Sequence, residues 1–252
     1  MLGALLQFLL AASAIVVAGT YLSRFADELA ELTGLGRMLI GSVLLAGATS
    51  LPELTVDISA IRLGAARELL SDSRMWKLAA ANVLLMSVYS LWMNWTTVFL
   101  VETYGLPQAV ANRRLAWIPP ILAALGGLAG GGLAMRWSSG ARDAATARRR
   151  VCTVGAFALL ATGAAPFMPG PALGTAVVCW SFFWTVTISV NLYAMPLDIF
   201  GASRAALGVS VLTFAYGAMQ TLISPAYGRL MDAYGFGPVC LAAGILPLAA
   251  VA

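Results

Sequence analysis

Two carboxylates four residues apart, Glu53 and Asp57, stand in an otherwise apolar run from residue 38 to residue 61. At that spacing they share one face of a helix. A carboxylate held at the middle of a bilayer costs at least ~2.5 kcal/mol unless it is paired, protonated or hydrated. Pro52 precedes Glu53. Its ring has no N–H and clashes with the carbonyl four positions back, which leaves the carbonyl of Ala48 free. Thr49 and Ser50 add hydroxyl oxygens. Oxygen ligands gathered at an interrupted helix suit a hard cation such as Na⁺ or Ca²⁺, and the same carboxylates can relay H⁺. The plainer reading is a packing kink with two carboxyls near a helix end. Against it, Glu53 lies 16 residues after Arg37 and nine before Arg62, inside the run rather than at its edge.

The elements that position these groups follow from composition. Of the 252 residues, 60% are hydrophobic and 10% charged, against roughly 25% charged in a soluble domain. So little polar surface cannot cover a soluble core, and the expected class is an all-α polytopic membrane protein whose first partner is the lipid bilayer. The net charge of +4 comes from residues scattered between apolar runs, so no nucleic-acid partner is expected. The absence of histidine removes His-based triads and most transition-metal sites. Beside Glu53 and Asp57 the sequence shows neither a nucleophile nor a metal shell, so neither an enzyme nor a resident cofactor is expected. Cys152, Cys179 and Cys240 read as small buried hydrophobes.

A crossing takes about 20 apolar residues. Such runs cover residues 1–23, 38–61, 78–101, 115–135 and 205–228. The 47 uncharged residues 151–197 are too long for one span, and Pro166-Phe167-Met168-Pro169-Gly170-Pro171 divides them into two. After Gly235-Phe236-Gly237-Pro238 the last 14 residues reach only about 21 Å, an eighth span cut short. No basic residue precedes Arg24, so the first run reads as a true span rather than a signal peptide. A cytoplasmic N-terminus puts ten basic residues inside and five outside, the orientation expected in a bacterial inner membrane.

Gly41 followed by Ala48-Thr49-Ser50-Leu51-Pro52-Glu53-Leu54 resembles the first alpha-repeat of the sodium/calcium exchanger family of cation antiporters. The resemblance covers about residues 5–64. It implies that Thr49, Ser50 and Glu53 are cation ligands; Asp57 lies outside the core motif. The family also has a following helix with Gly and Asn ligands and a second, inverted acidic repeat. Neither is found after Gly64.

From about Arg74 the pattern changes. Trp117-Ile118-Pro119-Pro120, Gly126-Gly127 with Gly130-Gly131-Gly132, the stretch Tyr193-Ala194-Met195-Pro196-Leu197-Asp198, and Ser224-Pro225-Ala226-Tyr227-Gly228-Arg229 resemble the C-terminal half of a major facilitator superfamily transporter. Within it they are most similar to symporters of hexuronates and other organic anions. One departure is Met135, which precedes Arg136 where that superfamily usually has Asp. The glycines read as packing sites. Asn94, Tyr216 and Gln220 are candidates for lining a cavity for a small polar or anionic solute, with Asn82, Tyr89 and Asn191 as further polar groups at membrane depth.

The expected organisation is therefore two pieces, a two-helix exchanger-like repeat over residues 1–70 and a six-helix facilitator-like bundle over 74–252. The expected function is secondary transport of an organic anion or sugar acid coupled to Na⁺, H⁺ or Ca²⁺. The alternatives are a fragment of a cation antiporter and a chimeric remnant that does not transport. Each piece lacks its complement, so a second protomer or a missing transporter half is an expected partner.

Overall fold

A computed structural model describes residues 2–33, 65–115, 118–138 and 144–251. Thr49, Ser50, Glu53 and Asp57 lie outside the described residues. The described elements are helices, and the chain is an all-α integral membrane protein. It divides into two compact units, Met1–Ser59 and Ala60–Ala252.

In the first unit, α1 (Leu2–Thr33) runs for 32 residues. Its hydroxyls turn inward on the helix: Thr20 donates to the carbonyl of Val16, and Ser23 to that of Gly19. A polar group satisfied within its own helix can face hydrocarbon at little cost.

The second unit holds α2 (Ala65–Ser71), α3 (Ser73–Tyr104), α4 (Gln108–Leu115), α5 (Ile118–Ser138), α6 (Ala144–Ala158) continued by a 3₁₀ segment (Leu159–Phe167), α7 (Pro171–Phe200), α8 (Ala202–Tyr234) and α9 (Phe236–Val251). Among the described residues, α3, α6 with its 3₁₀ extension, α7 and α8 are long and apolar enough to cross a membrane. The 21 residues of α5 reach about 30 Å and the 16 of α9 about 24 Å at the helical rise. The short α2 and α4 carry charged and amide side chains, such as Glu68 and Asn112, and read in sequence only as loop.

Apolar residues 151–197 break where their prolines dictate. The 3₁₀ segment contains Pro166, Met168 is extended, and α7 begins at Pro171. Nine residues of 3₁₀ helix are uncommon, and glycines explain how α9 lies against them. A Cβ on Gly244 would stand 3.1 Å from the nitrogen of Gly163 and 3.3 Å from the carbonyl oxygens of Leu159 and Leu160. Gly105, Gly201 and Gly235 end α3, α7 and α8 at φ of 65°, 77° and 72°, a region that residues with a Cβ rarely enter.

The closest helix contact is α5 on α7, and it is a small-residue interface. A Cβ on Gly126 would run into the carbonyl oxygen of Phe183, and one on Gly130 would lie 2.5 Å from that of Thr187. Backbones this close let side chains of α7 reach carbonyls of α5. The Thr187 hydroxyl donates to the carbonyl of Gly126 at 2.8 Å, and the Asn191 amide to that of Gly130 at 3.0 Å. Gly126→Ala is expected to lower the unfolding free energy in detergent by about 1–3 kcal/mol. Gly131→Ala, whose Cβ would meet nothing within 4 Å, is the matched control and is expected to be neutral or slightly stabilising. Equal unfolding midpoints for the two variants would show that the glycine contact does not hold α5 to α7.

The α3 helix sits at the centre, packed on α7, α8 and α9. It runs parallel to α8: Asn82 meets Leu212, Tyr89 meets Tyr216, and Trp95 lies beside Gly228. Its core side is aromatic. Trp92 and Phe99 are buried, with ring centroids 5.2 Å apart, and Phe99 meets Phe236 at the same distance.

Candidate functional site

The polar groups at membrane depth divide by what they touch. Asn82 is fully buried and its amide donates to the carbonyl of Leu212 at 2.7 Å, which ties α3 to α8. Asn191 ties α7 to α5 in the same way. These two hold helices together. Asn94, Tyr216 and Gln220 are placed otherwise. Asn94 is exposed on the flank of α3, its amide turned back to the carbonyl of Ser90 at 3.0 Å. Tyr216 and Gln220 are half-buried on α8.

Asn94 borders a cavity of about 330 Å³ with Trp92, Thr96, Thr97, Asn112 and Phe182 among its walls. The Thr97 hydroxyl donates to the side-chain amide oxygen Oδ1 of Asn112 at 3.0 Å. The indole N–H of Trp92 is buried without a hydrogen-bond partner among the described residues. Tyr216 and Gln220 do not line this cavity. Tyr216 connects to it through rings: Tyr216 meets Tyr89 at 6.5 Å, and Tyr89 meets Phe182 at 5.8 Å. Tyr89 and Tyr216 lie near the middle of their helices, the depth at which transporters hold solutes. Thr96, Thr97 and Asn112 escape a sequence reading because Thr is common in spans and Asn112 lies on a short helix between two of them.

One end of the bundle is basic. Arg148 and Asp198 pair at 2.7 Å between the start of α6 and the end of α7. Arg204 pairs with Glu68 at 3.0 Å. Asp72 caps α3 by accepting from the backbone N–H of Arg74 at 2.8 Å and pairs with its guanidinium at 2.7 Å. Hydrogen bonds from the Arg74 side chain, and then from its backbone, hold the Asp72 carboxyl below the usual carboxylate range. Its capping contribution is complete at neutral pH and is lost as pH falls through that lowered value. Arg74, Lys77 and Arg149 border a second cavity at this end, of about 520 Å³. In the sequence these three serve only to orient the chain.

The carboxylates of the second unit's spans stand at helix ends. Glu102 and Asp232 are exposed in the last turns of α3 and α8, and Asp198 is paired. Among the described residues no three His, Cys, Asp or Glu side chains converge as a metal would require. The described bundle therefore brings no acidic cluster to a cation, and the oxygen ligands read from sequence all fall between α1 and α2.

Residues 3–72 match the family described as sodium/calcium exchanger protein. The match contains Thr49, Ser50, Glu53 and Asp57, and it supports the exchanger-like reading of this segment. It covers rather more than a quarter of the chain and stops as α3 begins. No curated protein matches the chain, and the family match, which ends at residue 72, lends no support to the facilitator resemblance expected of residues 74–252. The match also runs beyond the first compact unit. It includes α2, whose Leu69 is fully buried and clusters with Met75, Phe200, Leu207 and Leu212 of the bundle.

Proposed function

We propose that the chain is a component of a membrane cation antiporter and that Thr49, Ser50, Glu53 and Asp57 form half of its ion site. The observation that carries this reading is the exchanger-family match over residues 3–72, which encloses all four. The chemistry is direct. Pro52 frees a backbone carbonyl, two hydroxyls add neutral oxygens, and Glu53 supplies the charge that a dehydrated Na⁺ or Ca²⁺ needs. Protonation of the same carboxylate would give the H⁺-coupled form of the cycle. The other half of the oxygen shell comes from a second protomer or a separate transporter half, because the described spans of the bundle offer no acidic cluster. The role is transport, with no covalent chemistry.

A specific observation favours a second reading. Asn94, Thr96, Thr97 and Asn112 place amide and hydroxyl groups in an otherwise apolar cavity beside α3, which suits a small polar solute. In that reading residues 74–252 are half of an organic-anion symporter.

Equilibrium binding of radioactive Ca²⁺ and Na⁺ to the purified chain separates the two. Glu53→Gln is expected to weaken cation binding by at least tenfold while the helical circular dichroism is unchanged. A variant that binds as the parent does, or a parent that binds no cation at millimolar concentration, would end the ligand role. Greater stability of the variant would then mark Glu53 as a buried carboxylate relieved of its desolvation cost.

A further inference from the structure

The cavity at the basic end plays no part in either transport reading. Its walls come from α3, α6, α7 and α9, all within the second unit. Its polar rim is cationic: Arg74, Lys77 and Arg149. The rest is apolar, running down α3 from Leu78 to Leu85 and along α7 from Ile199 to Leu192. Among the described residues no carboxylate lines it. The nearby acids are committed elsewhere, Asp72 to Arg74 and Asp198 to Arg148. Arg74 also lies 5.4 Å from the ring centre of Phe200. Lys77 and Arg149 have no carboxylate partner among the described residues. Arg149 borders an adjoining cavity as well, together with Arg150 and Trp137.

We propose that this cavity binds an anionic phospholipid, with its phosphate on Lys77, Arg149 and Arg74 and one acyl chain against Leu78, Leu85 and Leu192. Three features together select that ligand. Two uncompensated cations at the end of a membrane bundle attract a phosphate strongly. The apolar wall along α3 from Leu78 to Leu85 spans about 10 Å at the helical rise, which a soluble anion has no means to cover and a hydrocarbon chain does. The volume of about 520 Å³ lies within the range of sites that enclose a ligand of this kind. Arg149 follows directly on Arg148 of the Arg148–Asp198 pair, so a phosphate bound there would offset part of the positive charge that the ion pairs leave.

The test uses the full chain in detergent, with binding read by native mass spectrometry and by the shift in melting temperature. The probes are phosphatidylglycerol, phosphatidylcholine, glycerol 3-phosphate and inorganic phosphate. Phosphatidylglycerol is expected to bind and to raise the melting temperature, and phosphatidylcholine to do neither. The double variant Lys77→Gln/Arg149→Gln changes two exposed side chains, so its fold is expected to be intact, with a melting temperature in phosphatidylcholine equal to the parent's. It is expected to lose phosphatidylglycerol affinity by about tenfold or more. Equal affinity of variant and parent would overturn the proposal. So would glycerol 3-phosphate or inorganic phosphate binding as tightly as the lipid, because the source would then be a soluble anion. A variant that fails to melt as the parent does is replaced by Arg149→Gln alone, for which a several-fold loss is expected and an unchanged affinity overturns the site.

Discussion

Reconstituted into liposomes as a monomer, the chain is expected to show no saturable uptake of Na⁺, Ca²⁺ or an organic anion. In transporters built from repeats the solute site lies between the repeats, near the bilayer midplane. Here the polar groups at that depth open on the bundle's flank: Asn94 is exposed, and Tyr216 and Gln220 are half-buried. Only about a fifth of the apolar stretch of α8 is buried within the described chain, which leaves that helix free for a neighbour. Lipid offers no hydrogen bonds, so polar groups on that flank favour association with another polar surface. Uptake is therefore expected only from a dimer or on co-expression with a complementary transporter half. Flux measured at several protein-to-lipid ratios, beside the oligomeric state, checks this. Saturable, ion-coupled flux from a preparation shown to be monomeric would mean that one copy completes the site.

Trp92→Ala is expected to be the most destabilising single truncation among the described residues. The side chain is 1% exposed and stacks edge-on against Phe99, which in turn meets Tyr104 and Phe236. Large-to-small changes at aromatic core positions cost about 3–5 kcal/mol in soluble proteins. In a bilayer the transfer part of that cost is small, because lipid is as apolar as the core, and lost packing remains. The indole N–H has no partner, so its removal offsets a little more. The expected loss is about 3 kcal/mol by chemical unfolding in detergent micelles, by analogy with the soluble scale. Phe214→Ala, at a position 77% exposed, serves as the comparison and is expected to change stability by less than about 0.5 kcal/mol. If the two variants unfold together, the ring cluster of α3 is not the core of the bundle.

The class of the protein and most of its helices are legible in the sequence because the bilayer enforces a local rule. A span needs enough consecutive apolar residues, and Pro166 to Pro171 or Gly235 break such a run wherever they fall. The exchanger-like segment is legible for a related reason: carboxylates, a proline and hydroxyls within nine residues are a local pattern, and the family match encloses it. What the amides do is not local. Asn82, Asn94 and Asn191 are alike as residues in apolar runs. Only packing decides that Asn82 and Asn191 join helices while Asn94 faces outward. The glycines divide in the same way: a Cβ on Gly126 or Gly130 would run into the backbone of α7, whereas one on Gly131 or Gly132 would meet nothing within 4 Å. The basic cavity is the clearest case. Arg74 and Lys77 are far from Arg149 in the sequence, and they meet at one rim because α3 and α6 both start at the same end of the bundle. Sequence patterns report what one helix does in lipid, and the meeting of side chains from four helices depends on how those helices are packed.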